Sequence, residues 1–99
     1  MMGYWLSQRA EEDLIGLYVS STREFGNAQA ERYYAGLERA FEFLSEYPRA
    51  ARERPEISPP VRVHPYRAHV IVYMVTEDEV LILRIRHGHE DWEPSPIGE

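Results

Sequence analysis

A cluster of arginines and histidines follows the second of two apolar stretches near the end of the chain. Arg84, Arg86, His87 and His89 come together where the stretch 80–86 stops. Guanidinium groups recognise carboxylates and phosphates, and paired imidazoles are common metal ligands. At the end of a strand, these side chains can be presented to a partner or a substrate.

Metal binding is the weaker of these two interpretations. His87 and His89 are one residue apart, and no third ligand is defined by its spacing. A closed metal site in a protein needs three or four ligands in a fixed geometry. The sequence therefore predicts no metal and no cofactor.

Composition excludes several classes of function. The chain has 99 residues, enough for one domain, and a formal net charge of −6. General binding to a phosphate backbone requires clustered positive charge, so the net charge argues against it. We also expect no direct sequence-specific nucleic-acid binding. All 11 basic residues are arginine, which excludes lysine Schiff bases and P-loops. The segment 48–75 is nevertheless positive, with five arginines against two acids.

The sequence is typical of a protein of the cytoplasm. It contains no cysteine, in agreement with a reducing compartment. Residues 1–6 lack the basic start and apolar centre of a signal peptide, and no apolar run is long enough to span a membrane. We expect a soluble, cytoplasmic chain.

The order of the predicted elements is strand, helix, helix, strand, strand, strand. Ser7 is a candidate N-cap for a first helix that ends at Phe25-Gly26, and Asn27 is a candidate cap for a second that stops at Pro48. The segment 49–60 contains three prolines and is predicted to be a linker. Strands are predicted at 3–6, 61–66, 70–75 and 80–86. The fold class is α+β, with a two-helix hairpin packed on a mainly antiparallel four-stranded sheet. One domain is expected over 1–93, with a loose tail at 94–99.

The strand predicted over 70–75 is apolar at every position. Both of its faces should therefore be buried, yet a helical hairpin can cover only one. The second face needs a tail, a second copy of the chain or a partner segment. Exposed apolar surface of this kind is typical of a binding protein.

The ordered set of these features resembles the ParE branch of the RelE/ParE toxin superfamily. The resemblance lies in Leu6-Ser7 with Asp13-Leu14, Phe25-Gly26, Tyr47-Pro48, Pro65-Tyr66, and the ending from Ile82 to Gly88 followed by Asp91-Trp92. It implies a small toxin of a type II toxin–antitoxin pair that inhibits DNA gyrase by binding. It also implies a ParD-like antitoxin, whose C-terminal segment wraps around the toxin.

The resemblance leaves two alternatives open. Members of the RelE branch cut ribosome-bound messenger RNA, which requires a base, a cation for the developing phosphorane charge and an acid. Glu53, Arg62, Arg84 and His87 would be the catalytic set in that case, although Gly88 stands where some relatives carry an aromatic residue. The other alternative is a non-toxic scaffold that only binds antitoxin. For the preferred function no catalytic residue is expected.

Partner contact is assigned to basic and aromatic residues of the last third of the chain and of the basic segment. Three arginines could pair with an acidic partner segment, and the aromatic side chains could be anchors. The predicted partner-binding residues are Arg62, Tyr73, Arg84, Arg86, His87 and Trp92.

Overall fold

The computed structural model describes residues 3–98, which form two helices and five strands. The elements in chain order are β1 (Gly3–Leu6), α1 (Gln8–Phe25), α2 (Asn27–Glu46), β2 (Glu53–Arg54), β3 (Val61–Tyr66), β4 (His69–Val75) and β5 (Glu79–His87). The predicted α+β class and its helical hairpin are confirmed.

The strands form one mixed sheet in the order β1-β5-β4-β3-β2. β1 runs parallel to β5, and the other neighbouring pairs are antiparallel. The sheet has five strands where the sequence predicted four, because β2 places Glu53 opposite Arg62 at the edge. A two-residue strand inside a proline-rich linker is too short to show an alternating pattern.

The two helices follow each other with one residue between them. The Ser7 hydroxyl accepts from the Ala10 N–H at 3.0 Å, so the predicted N-cap of α1 is confirmed. Gly26 ends α1 with a φ of 87°, a conformation that glycine adopts without a Cβ penalty. α2 then begins at Asn27 itself with Gly26 as its cap, which differs from the predicted capping role of Asn27. Neither helix in residues 3–98 has the length and apolar character needed to cross a membrane.

The sheet separates two cores. On the helix side, Leu37, Phe41 and Leu44 of α2 pack with Ile71 and Tyr73 of β4. On the other side, Val72 packs with Ile57 of the linker, Val61 of β3, Leu83 of β5 and Trp92, which follows β5. The apolar β4 is therefore covered on both faces by the chain itself.

The C-terminal segment 94–98 packs against the second face of the sheet. Pro96 is fully buried, and Ile97 contacts the second core. The carbonyls of Ser95 and Pro96 accept from Nη1 of Arg86 at 3.0 and 3.3 Å. The prediction of a loose tail is therefore wrong for these residues. The segment covers apolar side chains of the second sheet face, and its carbonyls accept hydrogen bonds from Arg86.

Candidate functional site

Arg84 is held by partners within the chain. Its Nε and Nη2 donate to the two carboxylate oxygens of Asp13 at 2.7 and 3.0 Å, and Nη1 donates to the carbonyl of Ile97 at 3.0 Å and to that of Gly98. The hydrogen bonds to Asp13 raise the pKa of Arg84 above its ordinary value. All three nitrogens of this guanidinium are thus used inside the fold.

Arg86 is buried and similarly engaged. Its Nε donates to Glu90 at 2.9 Å, and its Nη1 donates to carbonyls of the C-terminal segment. The hydrogen bond from Arg86 lowers the pKa of Glu90, and the same carboxylate accepts from the His87 N–H at 3.0 Å. Only 6% of Arg86 is exposed, so a partner can reach it only if the segment 94–98 moves away.

Arg62 and Glu53 lie side by side at the β2 edge of the sheet. Arg62 donates from Nη1 to the carbonyl of Ala51 at 2.6 Å, which fastens the linker to β3. Glu53 is exposed and stands opposite Arg62 in the strand register. Of the two, Glu53 is the side chain left open to solvent.

Tyr73 and Trp92 are core residues. Tyr73 is fully buried on the helix side, where its hydroxyl donates to the Pro48 carbonyl at 3.0 Å. This burial raises the pKa of Tyr73. Trp92 is 8% exposed and packs in the second core. The guanidinium carbon of Arg54 lies 5.5 Å from the centroid of its ring. Both aromatic side chains that the sequence analysis assigned to partner contact are buried within this fold.

His87 is one of two exposed members of an imidazole cluster at one end of the sheet, the other being His89. Its ring centroid lies 5.1 Å from that of His69 on β4 and 5.1 Å from that of His89. The Tyr33 hydroxyl of α2 lies 2.7 Å from Nδ1 of His69. Burial, and then the nearby His87, lowers the pKa of His69. The sequence analysis gave no role to Tyr33 or His69. The β4–β5 hairpin pairs His69 with His87, so the register could have indicated that these two imidazoles are neighbours.

The four residues proposed for RNA cleavage do not form one site. Glu53 and Arg62 lie on β2 and β3, whereas Arg84 and His87 lie on β5, beyond the intervening strand β4. Arg84 is paired with Asp13, so its guanidinium does not face an open position where a scissile phosphate could lie. Within residues 3–98 no group of three or more His, Asp or Glu side chains has the arrangement of a metal site.

Asp13 is the ion-pair partner of Arg84 that the sequence analysis missed. It lies 71 positions before Arg84 in the chain, and no local pattern links the two residues. It could be recognised only from the approach of α1 to β5.

The architecture is that of a small α+β domain in which a helical hairpin covers one face of a mixed sheet. It is shared with a solved structure described as "Chromosomal ParDE TA system from P. aeruginosa". The two align with a TM-score of 0.76 at 22% sequence identity, over 88% of this chain and 96% of that one. A likeness at this identity establishes the fold.

Sequence comparison defines the family. The profile described as "ParE toxin of type II toxin-antitoxin system, parDE" matches residues 4–92. The chain therefore belongs to the ParE toxin family of type II toxin–antitoxin systems. It is 30% identical to "Toxin ParE" of Escherichia coli over 92 residues, which cover 92% of this chain and 89% of that protein.

Proposed function

We propose that this toxin inhibits DNA gyrase by binding, and that a ParD-like antitoxin neutralises it in the cytoplasm. Membership of the ParE family over residues 4–92 supports this target, and the likeness to a chain of the P. aeruginosa ParDE system supports a partner of the ParD type. The side chains of this chain make or break no bond in the proposed activity.

The observation that favours binding over catalysis is the engagement of Arg84. An RNase needs a cation that faces the scissile phosphate and stabilises the charge that develops there. Arg84 instead forms a two-point ion pair with Asp13, and the carbonyls of Ile97 and Gly98 accept from its remaining nitrogen. Freeing it would leave the Asp13 carboxylate, which is only 17% exposed, without its cation.

Exposed apolar side chains supply surface for the proposed partners. Trp5, Ile15 and Val19 are 62%, 65% and 47% exposed. Ile15 and Val19 also line a shallow cavity of about 570 Å³ on the outer side of the hairpin. Neighbouring exposed apolar side chains such as Ile15 and Val19 are typical of protein–protein contacts.

Two assays distinguish the target. Purified toxin should block supercoiling by gyrase and trap cleaved gyrase–DNA complexes, and addition of a ParD-like antitoxin should reverse both effects. Primer extension on ribosome-bound transcripts should show no toxin-dependent cuts. Ribosome-dependent cuts that disappear in a His87→Ala variant would overturn the proposal in favour of an RNase. A chain that binds antitoxin but affects neither gyrase nor transcripts would be a non-toxic scaffold.

A further inference from the structure

Three arginines of this acidic chain line one groove and have no ion pair among residues 3–98. Arg32 and Arg39 belong to α2, and Arg67 lies in the turn between β3 and β4. The guanidinium of Arg67 lies over the ring of Tyr66, 5.7 Å from its centroid. This groove differs from the surroundings of Arg84 and Arg86, whose charges are balanced inside the fold. Its three guanidinium groups are available to an external anionic partner.

The groove is built by close packing of the turn on α2. A Cβ added at Gly36 would lie 1.8 Å from the Tyr66 hydroxyl oxygen, so glycine allows this ring to lie directly on the helix. Tyr33 packs edge-to-face on the same ring, at a centroid distance of 5.2 Å. The resulting groove has a volume of about 540 Å³, with Arg67 on one wall and the α2 arginines on the other.

The spacing of the α2 arginines favours an extended ligand. Arg32 and Arg39 are seven residues apart, so they lie on the same face of the helix, about 10 Å apart along its axis. A chain carrying several carboxylates or phosphates can contact both guanidinium groups at once in their extended conformations. Guanidinium forks bind either group through paired hydrogen bonds.

A second cavity beside the groove favours a peptide over a nucleic acid as the ligand. Gln29 and Tyr33 also line a neighbouring cavity of about 710 Å³ between α1 and the strand ends. Phe25 gives that cavity an apolar wall, and Glu12 and Glu24 make its rim negative. A polyanionic strand would be repelled there, whereas a peptide can follow its acidic residues with apolar ones.

We propose that the groove formed by Arg32, Arg39 and Arg67 binds an acidic stretch of an extended peptide segment from the antitoxin. The apolar residues of the same segment then lie in the neighbouring cavity beside Phe25. This inference depends on the proposed neutralisation by an antitoxin. It moves the acidic contact away from Arg62, Arg84 and Arg86, whose guanidinium groups are engaged within the chain.

The test is calorimetric titration of the full-length toxin with its ParD-like antitoxin at low and high salt. The double variant Arg32→Gln/Arg39→Gln should bind about tenfold more weakly at low salt and lose much of its salt dependence. Arg67→Gln should show a smaller loss in the same direction. Gln is a good helix former, so the fold of α2 should be retained.

The matched control is Arg23→Gln/Arg49→Gln. It removes the same charge from two arginines that have no ion pair among residues 3–98 and lie outside the groove. The control should bind antitoxin like the unmodified toxin. Equal weakening in the two double variants would indicate general electrostatic attraction and overturn the groove as a site.

Other outcomes separate the two proposals. If unmodified toxin binds antitoxin and the groove variant binds equally well, the groove inference fails while the proposed function stands. If unmodified toxin does not bind antitoxin, both fail. Binding of a 20-base-pair DNA duplex that is lost in Arg32→Gln/Arg39→Gln would replace the peptide with nucleic acid.

Discussion

Arg84 on β5 and Asp13 on α1 form a two-point ion pair that joins the helical hairpin to the sheet. Both side chains are largely buried, with 13% and 17% of their surfaces exposed. The Asp13 carboxylate also accepts from the Ile85 N–H at 3.0 Å. A single acidic side chain therefore fixes both a guanidinium and the backbone of the strand that carries it.

The substitution Asp13→Asn should destabilise the protein strongly. The amide keeps the shape but leaves the partly buried Arg84 without a counter-charge, which costs about 3 kcal/mol. Urea unfolding followed by circular dichroism would measure the change. The control Glu38→Gln removes an exposed acid of α2 and should change stability by less than about 0.5 kcal/mol. Equal midpoints for the two variants would show that the ion pair contributes nothing to stability.

Gly36→Ala should be destabilising although alanine favours helices. The gain in helix propensity of about 1 kcal/mol is opposed by the overlap of the new methyl group with Tyr66. We expect a net loss of about 1–2 kcal/mol in thermal or urea unfolding. Gly16→Ala is the matched control, because nothing lies within 4 Å of its added Cβ. That variant should be more stable than the unmodified chain.

A double-mutant cycle checks the cause of the Gly36→Ala effect. In a Tyr66→Ala background the overlap is absent, so Gly36→Ala should become neutral or stabilising. A loss of the same size in both backgrounds would show that Tyr66 is not responsible.

Removing residues 94–99 should destabilise the second core. Truncation takes Pro96 and Ile97 off the sheet and leaves Arg86 without its carbonyl acceptors, at a cost of about 3 kcal/mol. Fluorescence of Trp92 in a Trp5→Phe background should shift to longer wavelength as the ring becomes exposed. An unshifted spectrum and unchanged unfolding would contradict the packing of this segment.

Acid should weaken the fold through His69. Its pKa is lower in the folded chain than the ordinary value of about 6.5 in the unfolded chain, because burial disfavours the charged ring. The unfolded state therefore binds more protons. This contribution to stability is complete above pH 6.5 and is lost as the pH falls through the folded-state pKa.

Comparison of urea unfolding at pH 8 and pH 5 tests the role of His69. His69→Gln should show a smaller fall in stability between the two pH values than the unmodified chain. The pKa of His64 is also lowered by burial, so His64→Gln serves as a comparison for the other half-buried imidazole. An unchanged pH dependence in His69→Gln would show that this ring does not contribute.

Local sequence patterns were sufficient to predict most of the elements. Ser7 has a hydroxyl that can cap a helix, and Gly26 can adopt the positive φ that ends it, so the hairpin could be located from short-range chemistry. The alternating and fully apolar stretches predicted β3, β4 and β5 to within a residue or two. β2 could not be predicted from local patterns, because it forms only when the linker returns to the sheet edge and pairs with β3.

The sequence by itself determined the fold class, the resemblance to the ParE branch and all the elements except β2. These depend on local conformational preferences and on the order of side chains along the chain. Only the tertiary structure decided which arginines are available to a partner. Arg84 and Arg86 carry the same charge as Arg32 and Arg39, but the approach of α1 and of the segment 94–98 gives the first two internal acceptors. A guanidinium binds whichever acceptor the fold brings within reach, and contacts across 71 positions leave no trace in local periodicity.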